Sequence, residues 1–276
     1  MLRLILKGWR IHAYLDLILL LRDRKTFLMY AFSEVILATA GVSGMILLAS
    51  KFGGIGDWSR AEIFFLLGYA LTVDSLLEMF FGYNIRYISR RIGRGQLDHL
   101  LIQPRLLWIA LFTEGFGLIS CFLRLIPGFV LLGWAIHHKP IVVSFAWLCW
   151  LVLNVCASMG VILGFMAAWG SLAFWSPRGA EEICSPLGRI FAQLQVFPLD
   201  GLGVIGWGLL TALPVGFTAW FPARALLAVP SSSLSLAITP LVGLLFLGFG
   251  AIQFGRGMKH YGRTGSQRYL DYGHRR

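Results

Sequence analysis

Five apolar stretches, at about residues 27–50, 62–83, 106–136, 141–170 and 233–254, dominate this chain. Each exceeds the roughly 20 residues that a helix needs to cross a bilayer. A segment surrounded by hydrocarbon must satisfy its backbone polar groups internally, so each stretch is expected to be a helix. Charged residues make up only 13% of the 276, where a soluble domain carries about 25%. These observations define an all-α polytopic membrane protein.

The crossing number depends on residues 182–217, where hydropathy is ambiguous. "EICSPLGRIFAQLQVFPL" is mixed, with Arg189, Gln193 and Gln195, and "GLGVIGWGLLTALPVGF" is more apolar but short and glycine-rich. Charge supplies the parity. Six Lys/Arg fall in residues 1–26, five in 86–105 and six in 255–276, against two in 51–60 and one in the "HHKP" turn. The positive-inside rule places the N-terminus, the 86–105 loop and the C-terminus in the cytoplasm. The number of crossings is then even, and six fits. Hydropathy alone selects 201–217 as the fifth. Pro198, Pro214, Pro222 and Pro230, interleaved with Gly201, Gly203, Gly206 and Gly208, suit broken helices instead. Such helices survive at membrane depth only against protein or a cavity. The expected crossings are therefore 27–50, 62–83, 106–136, 141–170, 182–200 and 233–254, with an outer re-entrant hairpin over about 201–230.

Residues 1–26 read as an interfacial amphipathic helix, ahead of one transmembrane domain over 27–276. Arg3, Lys7 and Arg10 recur on one face, and Leu2, Leu6, Trp9, Ala13, Leu17 and Leu20 on another. Asp16, the following "RDRK" and the lack of a small-residue cleavage site argue against a signal peptide. A net charge of +11 would suggest nucleic acid in a soluble protein, but here the charge sits at segment ends, so no nucleic-acid partner is expected. Cys121, Cys149, Cys156 and Cys184 show no CxxC spacing, and "HHK" at 137–139 has no carboxylate or thiol nearby, so no metal is expected. Glu181 and Glu182, beside Arg178, read as a solvated charge cluster in a cytoplasmic turn.

"RGQLDHLLIQPR", residues 94–105, interrupts the apolar pattern between the second and third crossings. Gly93 and Gly95 can end one helix, Asp98 can cap locally, and Leu97, Leu100 and Leu101 give a short helix an apolar side. Pro104 suits the first turn of the next crossing. A short helix over about 90–104, parallel to the membrane, is expected. Nothing in the chain matches GxxxxGK[ST], so any ATP-driven work requires another subunit.

Gly95, Leu97, Asp98, Leu101 and Pro104, as Gly-x-Leu-Asp-x-x-Leu-x-x-Pro, resemble the ABC-2 type permeases of bacterial exporters, including the daunorubicin-resistance type. "FPLD" at 197–200, "LPVGFTAWFPARALL" at 213–227 and "GMKHYGRTGSQRY" at 257–269 extend the resemblance over most of the chain. It implies a coupling helix carried by Gly95, Leu97, Asp98, Leu100, Leu101 and Pro104, docking on two copies of an ATPase subunit that holds ATP and Mg. It also implies a second permease, identical or paralogous, in the bacterial inner membrane, and no cofactor on this chain. The resemblance further implies that the segment before "FPLD" crosses and that the segments after it form the hairpin. Phe217, Trp220, Phe221, Pro222 and Arg224 would form an outer gate. The substrate would be lipophilic or amphipathic.

Ionisable residues inside apolar segments are rare and face protein or water. Here they are Glu34, Asp74, Glu78, Glu114 and Arg124. Asp74 lies 12 residues from Glu62, and Arg124 lies 12 from Ile136. Both therefore sit about 18 Å from the outer ends of their crossings. An Asp74–Arg124 ion pair is expected, with Glu78 one turn deeper sharing it, as a structural staple. A membrane transferase would need clustered polar groups at one interface. An ion-driven carrier using Asp74 or Glu78 would show inverted repeats. Neither pattern is present, so the transport subunit, without an ATPase site of its own, is favoured.

Overall fold

The computed structural model describes residues 2–82, 84–85, 87–139, 141–202, 208, 213–228 and 233–265. Helix α1 spans Leu2–Arg22 and α2 spans Arg24–Phe52. A two-stranded hairpin follows, with β1 (Gly54–Ile55) antiparallel to β2 (Trp58–Ser59). Then come α3 (Arg60–Phe81), the short helices α4 (Ile88–Gly93), α5 (Gln96–Leu101) and α6 (Leu107–Thr113), and α7 (Leu118–His138). Helix α8 spans Phe145–Gly170, α9 spans Pro177–Leu194, α10 spans Trp220–Leu227 and α11 spans Ser233–Thr264. Five helices among the described residues are long and apolar enough to cross a membrane: Arg24–Phe52, Arg60–Phe81, Cys121–His138, Phe145–Phe174 and Leu234–Thr264.

Burial separates these five by role. In its most apolar stretch, 78% of α3 is buried against 22% of α2. Helix α3 is the central post, and α2 touches the body through the narrow stripe Ala31, Ala38, Val42, Met45 and Ala49. Small residues at that spacing let backbones approach where no hydrophobic effect drives helices together. Asp23 caps α2 by accepting from the Thr26 amide at 3.2 Å, and hydrogen bonds from Thr26 hold its carboxyl below the usual carboxylate range.

Two seams organise the body. Helices α3 and α7 run antiparallel, with Gly68 against Gly128 and Leu132. A Cβ on Gly68 would lie 2.7 Å from the Leu132 amide nitrogen. Helices α8 and α11 run parallel, because successive contacts join Asn154 to Leu236, Ala157 to Gly243 and Gly164 to Gly250. A Cβ on Gly164 would lie 2.3 Å from the Phe246 carbonyl. Pro240 in α11 has no N–H and frees the Leu236 carbonyl four residues back. Asn154 Nδ2 donates to that carbonyl at 3.2 Å.

The body has an elbow end, carrying α1 and α4–α6, and a hairpin end, carrying β1–β2 and α10. Trp9 of α1 donates to the Phe112 carbonyl at 2.9 Å and packs on Phe80 and Phe116. Gly8 permits this close approach, since a Cβ there would meet Thr113 at 2.6 Å. The docked stripe of α1 is Ile5, Gly8, Trp9, His12, Ala13, Asp16 and Leu20, while Leu6 and Leu17 are exposed. The apolar face read from periodicity is thus split: Trp9, Ala13 and Leu20 meet protein, and Leu6 and Leu17 face out.

The apolar run at 106–136 is two helices. It breaks at Glu114–Gly117, where Gly115 takes φ 87° and the Gly117 amide donates to the Met79 carbonyl at 3.1 Å. Hydropathy does not register such a break, because apolar residues flank it on both sides. Of the expected hairpin at 201–230, residues 203–207, 209–212 and 229–230 lie outside the described residues. A 3-10 turn at Val215–Phe217 and α10 are described.

Candidate functional site

The elbow consists of two short helices set at an angle. Gly95, at φ 69°, is the N-cap of α5 and lets the chain turn sharply out of α4. Ile88, Ile92, Leu97 and Leu100 point into the body and are at most 4% exposed. Arg90 binds Glu181 of α9 through Nε (3.0 Å) and Nη2 (2.9 Å), and Ser89 adds a third bond to that carboxylate. Arg91 (3.2 Å) and Arg105 (2.5 Å) share Glu114. The Tyr261 hydroxyl near the end of α11 donates to Asp98. The elbow therefore bonds directly to α9, to the α6–α7 break and to α11.

The residues named from the sequence divide across this elbow. Leu97 and Leu100 are buried inside the chain, and Asp98 bonds to α11 rather than capping its own helix. Leu101 is 42% exposed, Ile102 80% and Leu106 66%, and Gln96, His99 and Pro104 are also exposed. An outward-facing apolar tip at 101–106 is thus built on an inward-facing base. Of the paired acids, Glu181 faces inward to Arg90, and only Glu182, bonded to Arg178 at 3.3 Å, is solvated.

A charged triad lies between α2, α3 and α7. Arg124 reaches Asp74 Oδ2 through Nη2 at 2.5 Å and Glu34 Oε2 through Nη1 at 2.9 Å. The three side chains are 13–22% exposed. Asp74 and Arg124 are brought together, and the second carboxylate on the guanidinium is Glu34 of α2. Glu78 is half-buried on α3, one turn beyond Asp74. One guanidinium opposite two carboxylates ties three helices at one level.

At the hairpin end, Asp200 is the hub. Its carboxylate accepts from Trp58 Nε1 (2.5 Å) and Trp220 Nε1 (2.7 Å), and it pairs with Arg224 at 2.5 Å. These bonds join β2, the chain after α9, and α10. Trp220 and Pro222 are buried, Phe217 and Phe221 pack ring to ring at 5.6 Å, and Arg224 is exposed over the Trp220 ring. Ser158 and Trp147 of α8 hold the carbonyls of Phe217 (3.2 Å) and Leu226 (3.1 Å). The named gate residues are thus packed down onto α8. Asp200 was visible in the sequence only as the last residue of "FPLD", and Trp58 carried no sequence signal. A cavity of about 250 Å³ opens beside this hub, lined by Asp57, Trp58, Glu62, Asp200 and Arg224 among others. It is smaller than the roughly 300–1,000 Å³ of ordinary ligand pockets.

No curated protein and no solved structure matches the chain. The family model for ABC-2 family transporter proteins matches residues 35–265, from α2 to the end of α11. A body of apolar helices, an elbow bonded across it and this match together make the chain a multi-pass membrane permease that belongs to the ABC-2 transporter family.

Proposed function

We propose that the chain is the membrane-spanning subunit of an ABC exporter, moving a lipophilic or amphipathic substrate out of the cytoplasm with ATP hydrolysed on separate subunits. The observation that carries this reading is the elbow. It presents Leu101 and Ile102 outward while its base is bonded to α9, α11 and the α6–α7 break. A force applied at the tip reaches several helices at once without crossing a flexible loop. The ATPase, which would hold ATP and Mg, docks on this tip, and Leu97, Asp98 and Leu100 transmit rather than touch.

Six crossings suit the contacts better than five. Glu181, near the start of α9, bonds at the elbow end, and Asp200, just past its end, bonds at the hairpin end. The 18 residues of α9 rise roughly 27 Å, close to the hydrocarbon thickness. Helix α9 is less apolar than the other five because Glu182, Arg189 and Gln193 form an exposed polar stripe along it. Facing lipid, a mid-helix Arg costs about 2.5–3.5 kcal/mol on insertion scales. The stripe therefore faces a water-lined path shared with a second permease, identical or paralogous, and the aromatic hairpin closes that path on the outer side. With both termini and the elbow in the cytoplasm of a bacterial inner membrane, the basic segments sit where the positive-inside rule puts them.

Purification of the full chain in mild detergent from its native host tests this. A P-loop ATPase should accompany the wild type and a control at the hairpin end, Val142→Ser, where the side chain is 82% exposed, and should be lost from Ile102→Asp without loss of thermal stability. Wild-type chain purifying with no ATPase overturns the reading. Retention of the ATPase by Ile102→Asp moves the docking point elsewhere.

A further inference from the structure

Arg189 lies on the exposed stripe of α9, between Glu182 and Gln193. Glu182 is engaged by Arg178 at 3.3 Å. Among the described residues no hydrogen bond or ion pair reaches Arg189, whereas four arginines of the elbow and of α7 each have a carboxylate. Arg90 has Glu181, Arg91 and Arg105 have Glu114, and Arg124 has Asp74 and Glu34. Arg189 lies eight residues beyond Glu181, about 12 Å into the body. Its neighbours on that exposed side, Ile183, Pro186 and Ile190, carry no charge.

We infer that Arg189 is a recognition residue for an anionic headgroup, so that the exported substrate is an amphiphile carrying a carboxylate, sulfate or phosphate on an apolar body. This rests on the export reading and on α9 lining the path. A guanidinium at this depth needs a counter-charge or water, and the protein gives carboxylates to Arg90, Arg91, Arg105 and Arg124 but none to this one. A planar fork of donors suits an oxyanion and holds it in a fixed orientation. The apolar residues around it suit a lipophilic tail. If two identical permeases face each other across the path, two copies of Arg189 converge on it. Their mutual repulsion is relieved by an anion between them, and a cationic or zwitterionic amphiphile gains less there.

The test is binding to the full-length protein in non-ionic detergent, without the ATPase. The probes are three fluorescent amphiphiles of one chain length, with a carboxylate, a phosphocholine or a trimethylammonium head. The carboxylate probe should bind about tenfold tighter than the others, the gain expected from one charge-assisted hydrogen-bonded contact. Arg189→Gln should remove that preference and Arg189→Lys should keep most of it. Circular dichroism and thermal unfolding of Arg189→Gln, unchanged from wild type, show that a lost preference is not a lost fold; if that variant unfolds, Arg189→Met and Arg189→Lys are compared in its place. Equal binding of all three heads overturns the inference. So does a carboxylate preference that survives Arg189→Gln. Dissociation of a permease dimer by Arg189→Gln, with head preference unchanged, also overturns it, because Arg189 would then pair with protein. ATPase co-purification is read independently, so failure here leaves the export reading standing.

Discussion

The α3–α7 seam and the α8–α11 seam solve the same packing problem differently. Both rely on glycines that bring backbones into contact, Gly68 and Gly128 in one, Gly164, Gly243 and Gly250 in the other. Both carry a proline in one helix, Pro127 in α7 and Pro240 in α11. In each, the neighbouring helix sends a side-chain donor to a carbonyl at the proline break. Ser75 donates to the Arg124 carbonyl at 3.1 Å, and Asn154 to that of Leu236 at 3.2 Å. Only the first seam adds charge, through the Arg124 triad. In lipid, packing alone holds two helices together without strongly fixing their level, whereas an ion pair at one depth sets it. The charged seam therefore fixes the vertical register of α2, α3 and α7. The seam of α8 and α11, set by shape and a neutral amide, can rotate or slide at smaller cost. The helix that bonds to the elbow through Tyr261 belongs to the adjustable seam.

The largest effect should come from filling the closest approach. Gly164→Leu places a side chain where even a Cβ meets the Phe246 carbonyl at 2.3 Å and the Leu247 nitrogen at 2.5 Å. Backbone cannot step aside as a side-chain tip can, so the cost exceeds the ~1–3 kcal/mol typical of overpacking. The expected result is loss of monodisperse protein in size-exclusion chromatography. Gly248→Leu, where a Cβ meets nothing within 4 Å, should purify normally. Equal behaviour of the two variants would remove the distinction between a shape-set seam and an ordinary lipid-facing helix.

Next is the charge. Arg124→Met leaves Glu34 and Asp74 facing each other in a partly buried site and should cost about 3 kcal/mol. Adding Glu34→Gln and Asp74→Asn removes the stranded charges and should recover most of the lost thermal stability. A triple variant no more stable than Arg124→Met would mean that the triad does more than compensate its own charges. Crosslinking of cysteines placed at matching depths on α2 and α7 should be sharp in the wild type and spread in the triple variant. That outcome would separate register from stability.

The two seams were unequally legible in the sequence. Charges stand out against an apolar background, and counting 12 residues from Glu62 and from Ile136 sets Asp74 level with Arg124. Glu34 lies 18 residues from Phe52, while Asp74 lies 14 from Arg60, so counting places it about one turn deeper and depth alone does not reach it. The glycine seam left a fainter trace, Gly160-x-x-x-Gly164 and the seven-residue spacing of Gly243 and Gly250, which is easily lost among 32 glycines. The elbow shows a different limit. Leu97, Leu100 and Leu101 give α5 an apolar side, but periodicity cannot say whether that side meets its own chain or a partner. The structure turns two inward and one outward. Hydropathy also ranked 201–217 above α9, because Glu182, Arg189 and Gln193 on the exposed side of α9 make it less apolar.

The smallest effect probes how the adjustable seam is held. Asn154 is fully buried, and its amide nitrogen serves a carbonyl that only Pro240 leaves free. Asn154→Ala strands that carbonyl and should cost ~1 kcal/mol. Pro240→Ala restores an N–H to the helix, so the Leu236 carbonyl regains its own partner and the contribution of Asn154 shrinks. In the Pro240→Ala background, Asn154→Ala should therefore cost about half as much or less, with a coupling on the order of 0.5–1 kcal/mol in a thermal double-mutant cycle. Ser75→Ala at the other proline should couple to Pro127→Ala more weakly, because its acceptor, the Arg124 carbonyl, lies three residues before Pro127 and is not the one that the missing N–H vacates. Equal coupling in both seams would mean that the two breaks are held alike, and that the triad alone distinguishes them. Absent coupling at Pro240 would assign Asn154 to packing, and the freedom of α11 would then rest on its glycines.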